Sequence, residues 1–475
     1  MLFNSIEFCI FFILVTTVYF IIPHSIRWIL LLLASCYFYM VFVPAYILIL
    51  LVLIIIDYFT GIWIEDTQGP ARKTYLIISI LSTCLALFIF KYFNFFAANV
   101  DSVAKFFGLA YSIPFLQLIL PIGLSFHTFQ SLSYVIEVYK GRQKTERHFG
   151  IYALYVMFYP QLEAGPIERP QNLLHQFYEK HEFESTRVVS GLKLILWGFF
   201  KKLVIADRLA LYVNAVYNNS SQHNGLTLSL ATLFFAFQIY CDFSGYSDIA
   251  IGAARVMGFE LMINFRRPYF ARSVAEFWKR WHISLSTWFR DYLYIPLGGN
   301  QVSIPRWYLN LFIVFLVSGF WHGANWTYVI WGALHGSYLV SGLVVDRMNK
   351  NVFHFSLPIA WQRFAGYLNM IGVFLLVCFA WIFFRANNLH DAFLIINKIV
   401  HFHGPLFVPS LSEFIYSIIG ILFLITAESC EEFLPGSSFF EDRRCWVRYA
   451  AYSAVILLIL LIGVFDGGQF IYFQF

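Results

Sequence analysis

His322 lies in the stretch SGFWHGANWTYVIWGALHG, residues 318–336, where one imidazole is set inside a long apolar, aromatic run and a second, His335, follows thirteen residues later. A polar ring at membrane depth is costly unless it is hydrogen-bonded or faces a water-filled cavity. Burial and nearby cations both disfavour imidazolium, so such a ring stays neutral and can act as a base. Gly319 and Gly323 leave room for another backbone or a thin substrate to approach it, and Trp321 and Asn325 are candidates for the same lining. Packed helices also use histidine as hydrogen-bonding glue, so this window carries both readings. On one continuous helix His335 would sit about 20 Å beyond His322 and on the opposite side, which assigns it to packing unless the helix breaks.

A second histidine, His282, sits among cations. Residues 255–290 hold Arg255, Arg266, Arg267, Arg272, Lys279, Arg280 and Arg290 against Glu260 and Glu276, an excess equal to the chain's whole net charge of +5. Within that segment Val274, Phe277, Trp278, Trp281, Leu285 and Trp288 gather on one side of a helical wheel, with charged residues opposite. The pattern predicts one amphipathic helix lying along the interface, with His282 at the border of its aromatic stripe. Arg266, Arg267, Lys279 and Arg280 are candidates for binding an anionic donor that carries a flat ring; the same face could simply touch lipid headgroups. Asp242 and Asp248, in YCDFSGYSDIAIG, cannot face lipid. They are either catalytic or, as favoured here, structural partners of the downstream arginines.

The elements that must position these groups are membrane helices. The 475 residues are 60% hydrophobic and only 12% charged, against about 25% charged in a soluble domain. Aromatic residues make up 20%, which suggests interfacial belts or an aromatic-lined cavity. Apolar runs fall at 6–22, 28–43, 45–63, 74–93 and 115–138, then near 188–206, 226–258, 307–345, 364–384, 410–427 and 449–465. The expectation is an all-α polytopic membrane protein of ten to thirteen membrane helices in a single domain over residues 1–475. The basic loop Lys140–His148 is expected in the cytoplasm, which puts the N-terminus outside, and Arg443, Arg444 and Arg448 place the C-terminus outside as well. Three prolines and a glycine in FYPQLEAGPIERPQ, residues 158–171, predict a broken, re-entrant element sheltered by protein. The seven cysteines show no C-x-x-C and no metal-ligand spacing.

A buried neutral histidine behind a basic, aromatic entrance suits acyl transfer from an anionic thioester, with His322 taking the proton of an acceptor hydroxyl and His282 orienting or polarising. G-x-S-x-G, Walker and H-E-x-x-H patterns are absent from the sequence. The competing class is a proton-coupled transporter in which His322, His282, Asp242 and Asp248 form a path.

FWHGANWTYVIWGALHG, together with YCDFSGYSDIAIGAARVMGFELMINFRRPYFARSVAEFWKRWHISLSTWFRDYLYIPLGG, closely resembles the membrane-bound O-acyltransferase family, in its bacterial alginate and peptidoglycan O-acetyltransferase branch. IGLSFHTFQSLSYVIEVYKG, PQLEAGPIERP, FKKLVIADRLA and the terminal DGGQFIYFQF extend the resemblance over nearly the whole chain. It implies a ring of membrane helices around a central tunnel that joins a cytoplasmic donor side to an outward acceptor side. It also implies an active-site histidine at His322 and a second at His282. The donor implied is acetyl-CoA, with no tightly bound cofactor and no metal. The implied partners are a periplasmic esterase-like transferase, a polysaccharide acceptor and the inner-membrane bilayer, not nucleic acid. D-alanyl transfer to teichoic acid, as in a related branch, is the alternative within the family. Glu163 departs from the expected uncharged residue and could pair with Arg169. His127 falls in a family motif without an assigned role and is expected to line the core.

Overall fold

The computed structural model describes residues 1–109, 112–121, 123–163, 165–349, 359–434, 444–465 and 470, and the side chains of all of these but 359–363. The described residues are helical and hold no strand. Arg443 and the terminal DGGQFIYFQF, apart from Phe470, fall outside them. Eight helices there are long and apolar enough to cross a membrane. Two more, α1 (Ile6–Ile21) and α2 (His24–Met40), are apolar but only 16 and 17 residues long. Contacts divide the chain into two compact units, 1–195 with 246–262 and 196–245 with 263–475.

The first unit continues with α3 (Tyr46–Asp66), α4 (Pro70–Leu87), a π-helical turn at Phe88–Tyr92, α5 (Phe93–Phe106), α6 (Leu124–Tyr139) and α7 (Phe149–Met157). The apolar run 115–138 does not form one span: Pro114 and Pro121 hold its first part out of helix, and α6 starts only after Gly123, which adopts a left-handed conformation at φ 76°. Asp57, on α3, is fully buried and accepts from the hydroxyls of Ser79 at 2.5 Å and of Ser131. The broken element at 158–171 is present as expected. One-turn helices α8 (Tyr159–Leu162) and α9 (Pro170–Leu173) flank buried non-helical backbone. Glu168 secures it by accepting from the Met262 N–H at 2.5 Å and from Asn172 at 2.6 Å. Glu163 pairs with the Met1 ammonium at 3.5 Å, while Arg169 donates to the Ser133 hydroxyl at 3.2 Å.

Helix α10 (Ser185–Phe199) leads into the second unit through a π-helical stretch, Phe200–Ala206, and α11 (Asp207–Tyr217). The 33-residue α12 (Gly225–Met257) gives residues 225–245 to the second unit and its end to the first. Lys202, fully buried, holds Asp242 of α12 at 2.7 Å and Asp207 at 2.8 Å. Among the described residues Asp242 therefore pairs with a lysine forty residues upstream, where the sequence pointed to the downstream arginines. Asp248 is half-buried on the α12 segment of the first unit.

The predicted interfacial helix is two helices, α13 (Val274–Arg280) and α14 (Ile283–Phe289), parted at Trp281 and His282. All six residues of the aromatic stripe are buried, as the wheel predicts. Helices α15 (Ile304–His322) and α16 (Trp326–Met348) then form a hairpin. A Cβ on Gly319 would lie 2.3 Å from the Tyr328 carbonyl oxygen and 3.0 Å from the Gly332 Cα, so the two backbones touch where these glycines face each other. The unit closes with α17 (Ile359–Arg385), α18 (Leu389–Val400), α19 (Leu411–Phe433) and α20 (Cys445–Ile462).

Candidate functional site

The α15–α16 hairpin decides where His322 and His335 meet. Gly323 is extended and its missing Cβ makes way for the Tyr328 ring, at 2.1 Å from where that carbon would be. Asn325 then caps α16, its side-chain oxygen accepting from the Thr327 N–H at 3.0 Å, while its amide donates to the Asn387 carbonyl at 3.3 Å. The helix therefore breaks directly after His322, and the 20 Å separation expected along one helix does not apply. Both histidines pack on Trp331, with ring centroids 5.0 Å and 4.9 Å away, which caps their own separation at about 10 Å. The space at Gly319 and Gly323 is occupied by the hairpin itself.

His322 is the last residue of α15, 4% exposed, with Trp321 at 4.8 Å and Phe384 at 5.4 Å completing its aromatic walls. His335 is fully buried, and its Nδ1 accepts from the Trp278 indole N–H at 3.3 Å. Indole can only donate, so the neutral His335 ring carries its proton on Nε2. Trp278, Trp331 and His335 went unrecognised as one group in the sequence. The signal that could have found it is Gly323 followed by Asn325 and Thr327, a helix stop followed by a helix start.

His282 occupies the break between α13 and α14 in a left-handed conformation, φ 42° and ψ 54°, which a non-glycine residue adopts at a cost of about 1–3 kcal/mol. It is 1% exposed, and burial pushes its imidazole down to about 3, so it is neutral at physiological pH. The cause is desolvation, without the like-charge contribution expected from the neighbouring cations. Backbone bonds from Arg266 N–H to the Arg280 carbonyl and from Ile283 N–H to the Asn264 carbonyl, each 2.9 Å, brace the loop on which it sits. Phe243 meets its ring edge-on at 4.6 Å and Phe265 stacks at 6.4 Å. From Phe265 ring contacts run through Trp281, Trp381 and Trp331 to His322, so one aromatic lattice holds both histidines.

The cations divide into two pairs. Arg267, also left-handed at φ 45°, binds Glu432 at 2.8 Å and Glu431 at 3.0 Å, and Arg280 binds Glu276 at 2.7 Å and Glu432 at 2.8 Å. These two arginines tie the loop to the end of α19. Arg266 and Lys279 are exposed. Lys279, but not Arg266, lines a cavity of about 340 Å³, together with Trp278, Arg290, Phe315, Ser318 and Leu343 among others. Trp278 is thus shared between this cavity and His335, and Ser318 stands one turn before His322. His127 lies on α6 of the first unit, fully buried, and neither of its ring nitrogens has a hydrogen-bond partner among the described residues.

Residues 148–389 match the family model of MBOAT, the membrane-bound O-acyltransferase family. The chain is 36% identical over 403 residues to a peptidoglycan O-acetyltransferase of Helicobacter pylori, covering 79% of this chain and 74% of that protein. It is 38% identical over 398 residues to a probable alginate O-acetylase, AlgI, of Pseudomonas aeruginosa, covering 82% and 73%. A teichoic acid D-alanyltransferase of Streptococcus thermophilus is 31% identical over 252 residues, covering 49% of this chain and 59% of that protein.

Proposed function

We propose, from the premise that this chain belongs to the membrane-bound O-acyltransferase family, that it moves an acetyl group from cytoplasmic acetyl-CoA toward O-acetylation of an envelope or exported polysaccharide, of alginate or peptidoglycan type, with His322 as general base. The observation that carries this reading is the pair of buried imidazoles, His282 and His322, each set at a helix break in one aromatic lattice within residues 148–389. Breaks of this kind put functional groups where regular helix cannot reach them, and a neutral imidazole in a dry site is a competent base.

In the proposed reaction His322 takes the proton of an acceptor hydroxyl as its oxygen forms a bond to the thioester carbonyl carbon. The carbon–sulfur bond then breaks, and the imidazolium returns the proton to the departing thiolate. His282 polarises or orients the reacting groups. Arg266, Lys279 and the cavity lined by Trp278 support a donor that arrives from the basic face, where Arg267 and Arg280 hold the loop in place. By the positive-inside rule that face is cytoplasmic, with the protein in the inner membrane. The acetyl group then passes outward, to a periplasmic esterase-like partner or directly to the glycan.

The test is transfer from radiolabelled acetyl-CoA by the full chain in liposomes, with alginate, peptidoglycan fragments and a candidate partner supplied in turn. Label arriving as an alkali-labile ester on one of these acceptors is the expected result. Solute flux that survives loss of both His322 and His282, with no label transferred to any acceptor, would replace the reading with a transporter. The D-alanyl relative matches less of the chain, and D-alanyl transfer in the same assay would move the protein to that branch.

A further inference from the structure

The side-chain oxygen of Asn264 gathers three donors. Nδ1 of His282 lies at 3.1 Å, the Ser284 backbone N–H at 3.3 Å and the Ser284 hydroxyl at 3.0 Å, and Asn264 itself is fully buried. A backbone N–H can only donate, so the Asn264 atom that meets it is the amide oxygen and not the amide nitrogen. That oxygen cannot donate in turn. Nδ1 of His282 must therefore carry a proton, and in the neutral ring the lone pair belongs to Nε2.

Orientation follows from the same contacts. The Asn264 carbonyl accepts from Ile283 and its side chain from Ser284, so the asparagine is bonded to both residues after His282 and spans the left-handed kink. Phe243 and Phe265 wall the imidazole. The Nδ1–Asn264 bond favours this rotation of the ring over the flipped one, in which a carbon would face the amide oxygen. A left-handed non-glycine residue persists only where its surroundings over-determine it, and such positions cluster at working sites.

We propose that Asn264 is a positioning residue for acyl transfer: it holds His282 in the tautomer and orientation that present Nε2, as a hydrogen-bond acceptor, to the reacting groups. This rests on the reading of His282 as part of the site, and adds which nitrogen works and what keeps it in place. Asn264 acts through His282 and touches no substrate.

The experiment compares Asn264→Leu and Asn264→Asp with wild type, as full-length protein in liposomes, measuring kcat, the acetyl-CoA KM and the pH profile of kcat. Asn264→Leu removes the acceptor at similar volume; kcat should fall at least about tenfold with KM within about twofold. Asn264→Asp keeps an accepting oxygen at Nδ1 and adds a negative charge, which favours imidazolium. It should retain more activity than Asn264→Leu, and the acid limb of its profile should move to higher pH. That shift is a readout that a purely structural asparagine would not produce, and Asn264→Asp decides the matter if Asn264→Leu does not fold. Wild-type kcat in Asn264→Leu, or an unmoved acid limb in Asn264→Asp, would overturn the proposal. His282→Ala and His322→Ala run alongside. If they abolish transfer while the Asn264 variants behave as wild type, only the positioning role fails; if they too retain transfer, the functional reading fails with it.

Discussion

Two buried polar centres of the second unit solve the problem of polarity at membrane depth in opposite ways. At Lys202 a buried ammonium meets the carboxylates of Asp207 and Asp242 at 2.8 and 2.7 Å, a cluster of opposite charges. Around Trp331 the polar groups are the imidazoles of His322 and His335, set among indole and phenyl rings. Charges that neutralise each other hold helices together, whereas a neutral imidazole in an aromatic shell keeps a proton-accepting capacity that a salt bridge would use up. We assign the first kind of centre to structure and the second to chemistry.

His322→Ala tests that contrast hardest. Transfer should fall by about 10²–10⁴-fold, the range of a general base, while expression and thermal stability in detergent stay close to wild type. Lys202→Met should do the reverse. It removes the buried cation that both carboxylates face and should destabilise the fold by about 3–5 kcal/mol, seen as a lowered melting temperature, with near-normal specific activity in whatever remains folded. If Lys202→Met abolished transfer in fully folded protein, the division between the two centres would be wrong.

A smaller effect sharpens the histidine side. Gly319→Ala drives a methyl into the Tyr328 carbonyl and should cost about 1–3 kcal/mol by overpacking, separating α15 from α16 and lowering stability and activity together. Smallest is the basic face. Arg267→Ala removes a half-exposed pair and should shift stability by no more than about 1 kcal/mol. Arg266→Glu with Lys279→Glu should instead raise the acetyl-CoA KM several-fold, more at low salt than at high. A KM unchanged in that double variant would leave the face to lipid.

Which parts of this were legible in the sequence depends on the distance over which each is determined. The aromatic stripe of 274–288 and the broken element at 158–171 are set by local pattern and by proline, and both appear as expected. The kink at His282 is not local. It exists because Asn264, eighteen residues earlier, bonds Ile283 and Ser284, and helix periodicity alone reads straight through it. Asp242 pairs with Lys202 for the same reason: the nearest cation in sequence, Arg255, stands in the last turn of α12 itself, whereas the π-helical stretch 200–206 brings Lys202 alongside. The run 115–138 looked like a span because its composition outweighed Pro114 and Pro121. The joint placement of His322 and His335 depends on the break that the sequence left open, which Gly323 and Asn325 mark.

The most direct test of the account is single-turnover acetyl transfer from radiolabelled acetyl-CoA in liposomes, with wild type beside His322→Ala and Lys202→Met, each normalised to folded protein. Label reaching the acceptor with wild type and Lys202→Met but not with His322→Ala is the predicted result. Equal transfer by wild type and His322→Ala, with a competent acceptor present, would contradict it.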